Sequence, residues 1–165
     1  MFVLGIDPGL SVTGYGVVCD GRAGPQAIAA GVIRTSPSDP VATRLDELHR
    51  DLVAVIGEHG PDAVAIEQVF VNRNLQTATS VARASGVALL AAAQAGVEVF
   101  EYTPSAVKMA LTGYGDAVKQ QVQRVVAMRF SMEGLPEPPD AADALAIALC
   151  HLQSHRMRAL AGEIG

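Results

Sequence analysis

Phe2-Val3-Leu4-Gly5-Ile6-Asp7-Pro8-Gly9 is the stretch on which the fold turns. It reads as an apolar strand that ends on an acid, because Pro8 and Gly9 break an extended run and force the chain to turn. An acid at the carboxyl end of a strand stands where α/β sheets place their sites. Outward from there, residues 14–20 and 26–34 read as two further strands joined by a turn over 21–25, a meander. Residues 41–59 carry Leu45, Leu48, Leu52, Val55 and Ile56 at the three-and-four spacing of a helix packed on one face, and Gly60-Pro61 stops it. Asp62-Ala63-Val64-Ala65-Ile66-Glu67 is then a short strand, expected to be buried and parallel to the first.

Farther along, Asn74 can cap a helix rich in Ala, Ser and Gly that runs to about Ala95, with Gly96 as its stop. Residues 97–102 read as a fifth strand. Thr103-Pro104 is a cap followed by proline in the first helical position, and Asp116 is expected to open another helix through Phe130. Pro136 to Pro139 leads rigidly into a last helix from Asp140 to about Gln153. The order predicts one α/β domain over residues 1–153, a five-stranded mixed sheet flanked by helices, with a C-terminal tail over 154–165. No repeat or interdomain linker interrupts it. A 165-residue chain is of single-domain size and buries roughly 70% of its unfolded surface.

Apolar residues make up 50% of the chain and charged residues 18%, with mean hydropathy +0.28, the composition of a globular protein. The start has no basic segment followed by a long apolar run, so secretion is not expected. The longest apolar stretch, residues 86–93, is far short of the ~20 residues that cross a bilayer. Cys19 and Cys150 have no ligand-like spacing and read as buried free thiols in a reducing, cytoplasmic setting.

The chemistry lies in four acids. Asp7 and Glu67 end two strands expected to be parallel neighbours, while Asp140 and Asp143 are three apart at a helix start and so share a face. Each alone has a plain structural explanation: the helix dipole favours an acid in a first turn, and strand-end acids sit in turns. Together they are harder to dismiss. Glu67 follows Ala63-Val64-Ala65-Ile66 and Asp143 interrupts an apolar run, where an unpaired carboxylate is costly. The four histidines show no zinc-like spacing, so oxygen ligands and a hard cation, Mg²⁺ or Mn²⁺, are indicated. Two such ions ~3.5–4 Å apart suit phosphodiester hydrolysis.

Gly5-Ile6-Asp7-Pro8-Gly9, then Thr13-Gly14-Tyr15-Gly16, then Ile66-Glu67-Gln68-Val69-Phe70, then Asp140-Ala141-Ala142-Asp143-Ala144-Leu145-Ala146 resemble the RuvC family of Holliday-junction resolvases in order and spacing, over about residues 2 to 152. The resemblance implies an RNase H-like fold and a homodimer that cuts four-way DNA junctions symmetrically. It also implies Mg²⁺ held by Asp7, Glu67, Asp140 and Asp143, the fourth of which is not always Asp in that family. Lys108 and Lys119 match DNA-binding positions of the family, and they are the only lysines beside ten arginines. Phe70 is placed to stack on a base unpaired at the junction, and Arg73 to touch a phosphate. A RuvAB-type branch-migration complex is the implied partner.

The net charge of −5 runs against the basic character usual in nucleic-acid-binding domains. Setting aside the four site acids, however, leaves 13 acids against 12 Lys plus Arg, and bound cations cancel most of the remaining deficit. Two other readings compete. An actin-like phosphotransferase begins its phosphate loop with a similar Asp-x-Gly, but such enzymes pair two related domains. A non-catalytic RNase H-like binding module gains nothing from four carboxylates held near phosphates. A two-fold dimer is expected through the 74–95 helix, whose Ala78, Ala82, Gly86 and Ala93 allow close backbone approach.

Overall fold

The computed structural model describes residues 1–22, 24–69 and 75–162. Its elements are β1 (Phe2–Asp7), β2 (Val12–Gly21), β3 (Gly24–Arg34), α1 (Val41–His59), β4 (Ala63–Glu67), α2 (Leu75–Gln94), β5 (Glu98–Tyr102), α3 (Pro104–Thr112), α4 (Lys119–Arg129) and α5 (Pro139–Leu160). The sheet runs β3-β2-β1-β4-β5. The first three strands pair antiparallel, whereas β4 lies parallel to β1 and β5 parallel to β4. This is the five-stranded mixed sheet the sequence predicts, with β4 beside the first strand.

Alternation along the strands sorts side chains into two layers. Leu4, Ile6, Val17, Val64 and Ile66 pack with Leu48, Leu52 and Ile56 of α1 and Ala84, Ala88, Ala91 and Ala92 of α2. Val3, Val18 and Ala65 pack instead with α3, α4 and α5 through Val107, Leu111, Val122, Val126, Leu145 and Leu149. By the same alternation Gly5 and Asp7, two and four residues beyond Val3, face α5, as does Glu67, two beyond Ala65. Period two thus decides which helical layer the strand-end acids meet.

Two helix boundaries differ from expectation. α4 starts at Lys119 with Val118 as its cap residue, not at Asp116; the Gln121 side chain reaches back to accept from the Val118 N–H at 3.0 Å and fixes the start there. α5 passes Gln153 and continues to Leu160. Residues 154–160 hold no Pro or Gly, and Arg156 Nε donates to Asp20 at 3.1 Å, tying the added turns to the end of β2. Cys150 is buried as expected, but Cys19 is only partly so. The expected cap Asn74 lies outside the described residues.

Candidate active site

β1 and β4, parallel and in register from Val3↔Ala63 to Ile6↔Ile66, end side by side on Asp7 and Glu67. The turn after Asp7 is clamped by the buried Thr13: its hydroxyl donates to the Gly9 carbonyl at 2.6 Å and accepts from the Gly9 N–H at 3.3 Å. Asp140 and Asp143 arrive from the first two turns of α5, which lies unusually close to the sheet. A Cβ on Gly5 would stand 2.0 Å from the Ala144 carbonyl oxygen, one on Gly14 2.1 Å from the Asp140 carbonyl oxygen, and one on Gly16 2.9 Å from the Leu145 side chain. Gly5 pairs with Gly16, and Asp7 with Gly14. These three glycines therefore form a flat bed on which the α5 backbone rests, and that bed brings the helical acids to Asp7. Sequence reasoning quoted the glycines but missed this role. The signal was there in Gly14 and Gly16, spaced by two so that both face the same helix.

Electrostatics registers the convergence. The Asp7 carboxyl is pushed up to about 7, first by burial and then by Glu67, Asp143 and Asp140, with Lys119 opposing. Glu67 is raised by burial and by Asp143, against Lys119 and Lys108. Asp143 is raised by burial and by Asp140, while its hydrogen-bonded ion pair with Lys119 lowers it. Lys119 itself is held above its ordinary value by Asp143, Asp7 and Asp140, although burial acts the other way. Glu67, Asp143, Lys108 and Lys119 also line one cavity of about 250 Å³, floored by apolar Pro104, Val107, Val122 and Ala146.

The structure thus gathers six of the eight residues singled out from sequence: the four acids and both lysines. Phe70 and Arg73 lie outside the described residues. A cluster of four oxygen-donor acids, carrying more negative charge than the two opposing ammonium groups neutralise, is chemistry that fits a hard divalent cation. Among the described residues no group of three or more acids, histidines or cysteines is arranged to hold a metal ion as it stands, and Asp143 is engaged by Lys119. Acids at the carboxyl ends of parallel strands, facing a helix that contributes two more, with lysines at the rim, define a nuclease of the RNase H-like class.

Comparison with known proteins narrows the class. Residues 3–151 match the family model for crossover junction endodeoxyribonuclease RuvC. The RuvC protein of Syntrophomonas wolfei is 48% identical over 157 residues, covering 95% of this chain and 91% of its own length. That of Rubrobacter xylanophilus is 48% identical over 160 residues, covering 97% and 89%. The solved RuvC of Thermus thermophilus superposes with a TM-score of 0.89 at 39% identity, covering 95% of this chain and 96% of the other. Its complex with a Holliday junction substrate gives 0.87 at 37% identity, with the same coverage. A yeast mitochondrial Holliday junction resolvase, 13% identical with a TM-score of 0.66, shares the fold. The chain belongs to the RuvC family of crossover junction endodeoxyribonucleases, metal-dependent nucleases with an RNase H-like fold.

Proposed function

We propose that this enzyme resolves four-way DNA junctions by hydrolysing one phosphodiester in each of two opposed strands, as a two-fold homodimer. The observation that carries the reading is the convergence of Asp7, Glu67, Asp140 and Asp143 at one end of the sheet with Lys108 and Lys119 beside them. A relative 37% identical has been solved with a Holliday junction substrate on the same fold.

In this reading the four carboxylates hold Mg²⁺, for which Mn²⁺ substitutes, two ions to each site. Bound cations supply an activated water and neutralise charge on the leaving oxygen. The chain's own residues do the rest. Gly5, Gly14 and Gly16 let α5 set Asp140 and Asp143 against Asp7, so the ligands are oriented before substrate arrives. Lys119 holds the Asp143 carboxylate and, with Lys108, presents positive charge to the phosphates of the strand being cut. Phe70 is the residue assigned to stack on an unpaired base and Arg73 to meet a phosphate. Apolar Val107, Val122 and Ala146 under the cavity exclude water from the floor of the site.

A homodimer follows from the substrate, because a four-way junction is two-fold symmetric and paired incisions need two sites related by that symmetry. The face of α2 turned away from the core supports it: Leu75, Ala82, Gly86, Leu90 and Ala93 are all exposed, Leu75 at 70% and Leu90 at 51%. A RuvAB-type branch-migration complex is the proposed supplier of junctions, and the cytoplasm the proposed compartment. No helix among the described residues is long and apolar enough to cross a membrane.

Incubation with a synthetic four-way junction and Mg²⁺, beside a plain duplex and an EDTA control, tests the reading. Paired cuts in the junction alone, abolished by EDTA, are expected. Equal cutting of the duplex would overturn junction specificity, and cutting that survives EDTA would overturn the metal site.

A further inference from the structure

A second cavity, of about 460 Å³, opens between the β1–β2 turn and the first turns of α1 and α2, lined by Ser11, Arg44, Gln76, Thr77 and Ser80 among others. None of its lining residues is acidic. Arg44 is only 8% exposed. Its Nε donates to Thr35 Oγ1 at 2.9 Å and its Nη2 to Ser11 Oγ at 2.7 Å. Among the described residues no carboxylate pairs with it. A guanidinium so buried is costly without a counter-charge. Its place compounds the cost, since it stands in the first turn of α1, where the helix dipole disfavours a cation. Neither α1 nor α2 carries an acid in its first turn. One buried cation, the positive N-terminal end of α1 and a rim of hydroxyls form a cavity that suits an anion.

We propose that this cavity binds a backbone phosphate of the DNA strand being cut. Arg44 supplies the charge and Ser11, whose hydroxyl accepts from Arg44, the proton that meets it, while Ser80 stands at the rim with its own proton donated to the Gln76 carbonyl. The inference rests on the junction-cutting reading, and location argues for a strand phosphate over a free anion. Gly9 and Leu10 line the cavity, and Gly9 is two residues from Asp7, a reach of at most about 7 Å. A strand with its scissile phosphate at Asp7 therefore brings a neighbouring phosphate to the cavity mouth. The active-site lysines lie in the opposite helical layer, so the strand would be gripped from both sides of the β1 turn.

Binding of a four-way junction in EDTA, with phosphates around the cut position replaced one at a time by neutral methylphosphonates, tests this. At one position neutralisation should weaken wild-type binding about tenfold, some 1.4 kcal/mol, yet have no further effect on Arg44→Gln. That variant should also show a slope of log affinity against log salt that is shallower by about 0.9. Because Arg44 is buried and its replacement can cost the fold, Ser80→Asp is the second variant: it sets a negative charge at a partly exposed position and leaves the Arg44 bonds in place. It too should bind about tenfold more weakly, with the same methylphosphonate now without effect. Wild-type affinity for Ser80→Asp, or additive weakening at every position in a folded Arg44→Gln, would overturn the proposal. Failure of the function reading looks different: the wild type would not cut the junction with Mg²⁺, while the non-additivity would persist on whatever DNA it binds.

Discussion

Burial, reinforced by Glu67, Asp143 and Asp140, pushes the Asp7 carboxyl from its ordinary 3.8 up to about 7. Between those values the folded state holds the extra proton, so this residue makes stability fall as pH rises, and above about 7 its full cost is present. Asp7→Asn should therefore make the metal-free protein more stable than wild type at pH 8, by on the order of 1–3 kcal/mol, with the difference vanishing toward pH 4. Urea melts in EDTA at the two pH values check it. Cleavage by the variant should be abolished while junction binding persists, and the same holds for Glu67→Gln; normal turnover by either would place the metal elsewhere. In the proposed function the lysines act through charge. Lys108→Ala and Lys119→Ala should each weaken binding and flatten its salt dependence by about 0.9 for every duplex phosphate the lysine neutralises. Phe70→Ala should lower cleavage with the slope nearly unchanged, because stacking responds little to salt. Equal slopes for lysine and phenylalanine variants would contradict this division.

At the scale of elements, α5 carries half of the proposed site. It bears two of the acids, rests on the glycine bed and is tied to the far edge of the sheet by His151. That residue is fully buried, and its Nδ1 shares a 2.9 Å hydrogen bond with Tyr102 Oη on β5, whose register partner on β4 is Glu67. Gly5→Ala would force a methyl group to 2.0 Å from a helix carbonyl. Lifting α5 to admit it should cost on the order of 1–3 kcal/mol and reduce cleavage in folded protein by at least about tenfold, since Asp140 and Asp143 move with the helix. Thermal melts with cleavage rates check both; a stable, fully active variant would show that the close approach is not needed. Burial, with Arg158 and His155 acting the same way, pushes the His151 imidazole down to about 4. The unfolded chain then takes up its proton near 6.5 and the folded one only near 4. The associated stability is therefore complete above about 6.5 and declines as pH falls through that window, by on the order of 3 kcal/mol. Asp7 works in the opposite sense over the same range. An Asp7→Asn background should therefore expose the decline between about pH 6.5 and 4, and adding His151→Asn should flatten it; an unchanged pH profile would contradict the assignment.

For the whole molecule the test is one of assembly. α2 buries Ala84, Ala88, Ala91 and Ala92 against the sheet and turns Ala82, Gly86 and Leu90 outward. A glutamate at either small position leaves the core of the monomer undisturbed and puts a charge into the proposed two-fold interface. Ala82→Glu or Gly86→Glu should give a folded monomer that nicks the junction weakly and makes no paired incisions. Sedimentation and single-turnover cutting of a junction check it. A wild type that stays monomeric while making paired cuts, with no dimer on DNA, would overturn the two-fold assembly.

The sequence by itself determined what is local or periodic. The strand ending on Asp7, the turn at Pro8-Gly9, the α1 helix with its stop at Gly60, the Thr103-Pro104 start of α3 and the acidic motifs all follow from signals a few residues long. That Asp7 and Glu67 end neighbouring parallel strands was also expected from the sequence, whereas the face they share came from the packing of the two helical layers. The start of α4 was less legible, because Asp116 is a good cap by residue type and Val118 a poor one, and only the Gln121 side chain folding back on the Val118 N–H fixes the start there. Only the tertiary structure decided that Gly5, Gly14 and Gly16 are a bed for α5, that Lys119 pairs with Asp143, that Arg44 is buried without a counter-ion among the described residues, and that Cys19 stays partly exposed. Each of these joins or encloses residues far apart in the chain, 24 positions for the ion pair and more than 130 between Gly5 and Ala144. Propensity and turn chemistry act over a few residues, whereas such distances are set by how closely two faces pack, and that exists only once the sheet and helices have met.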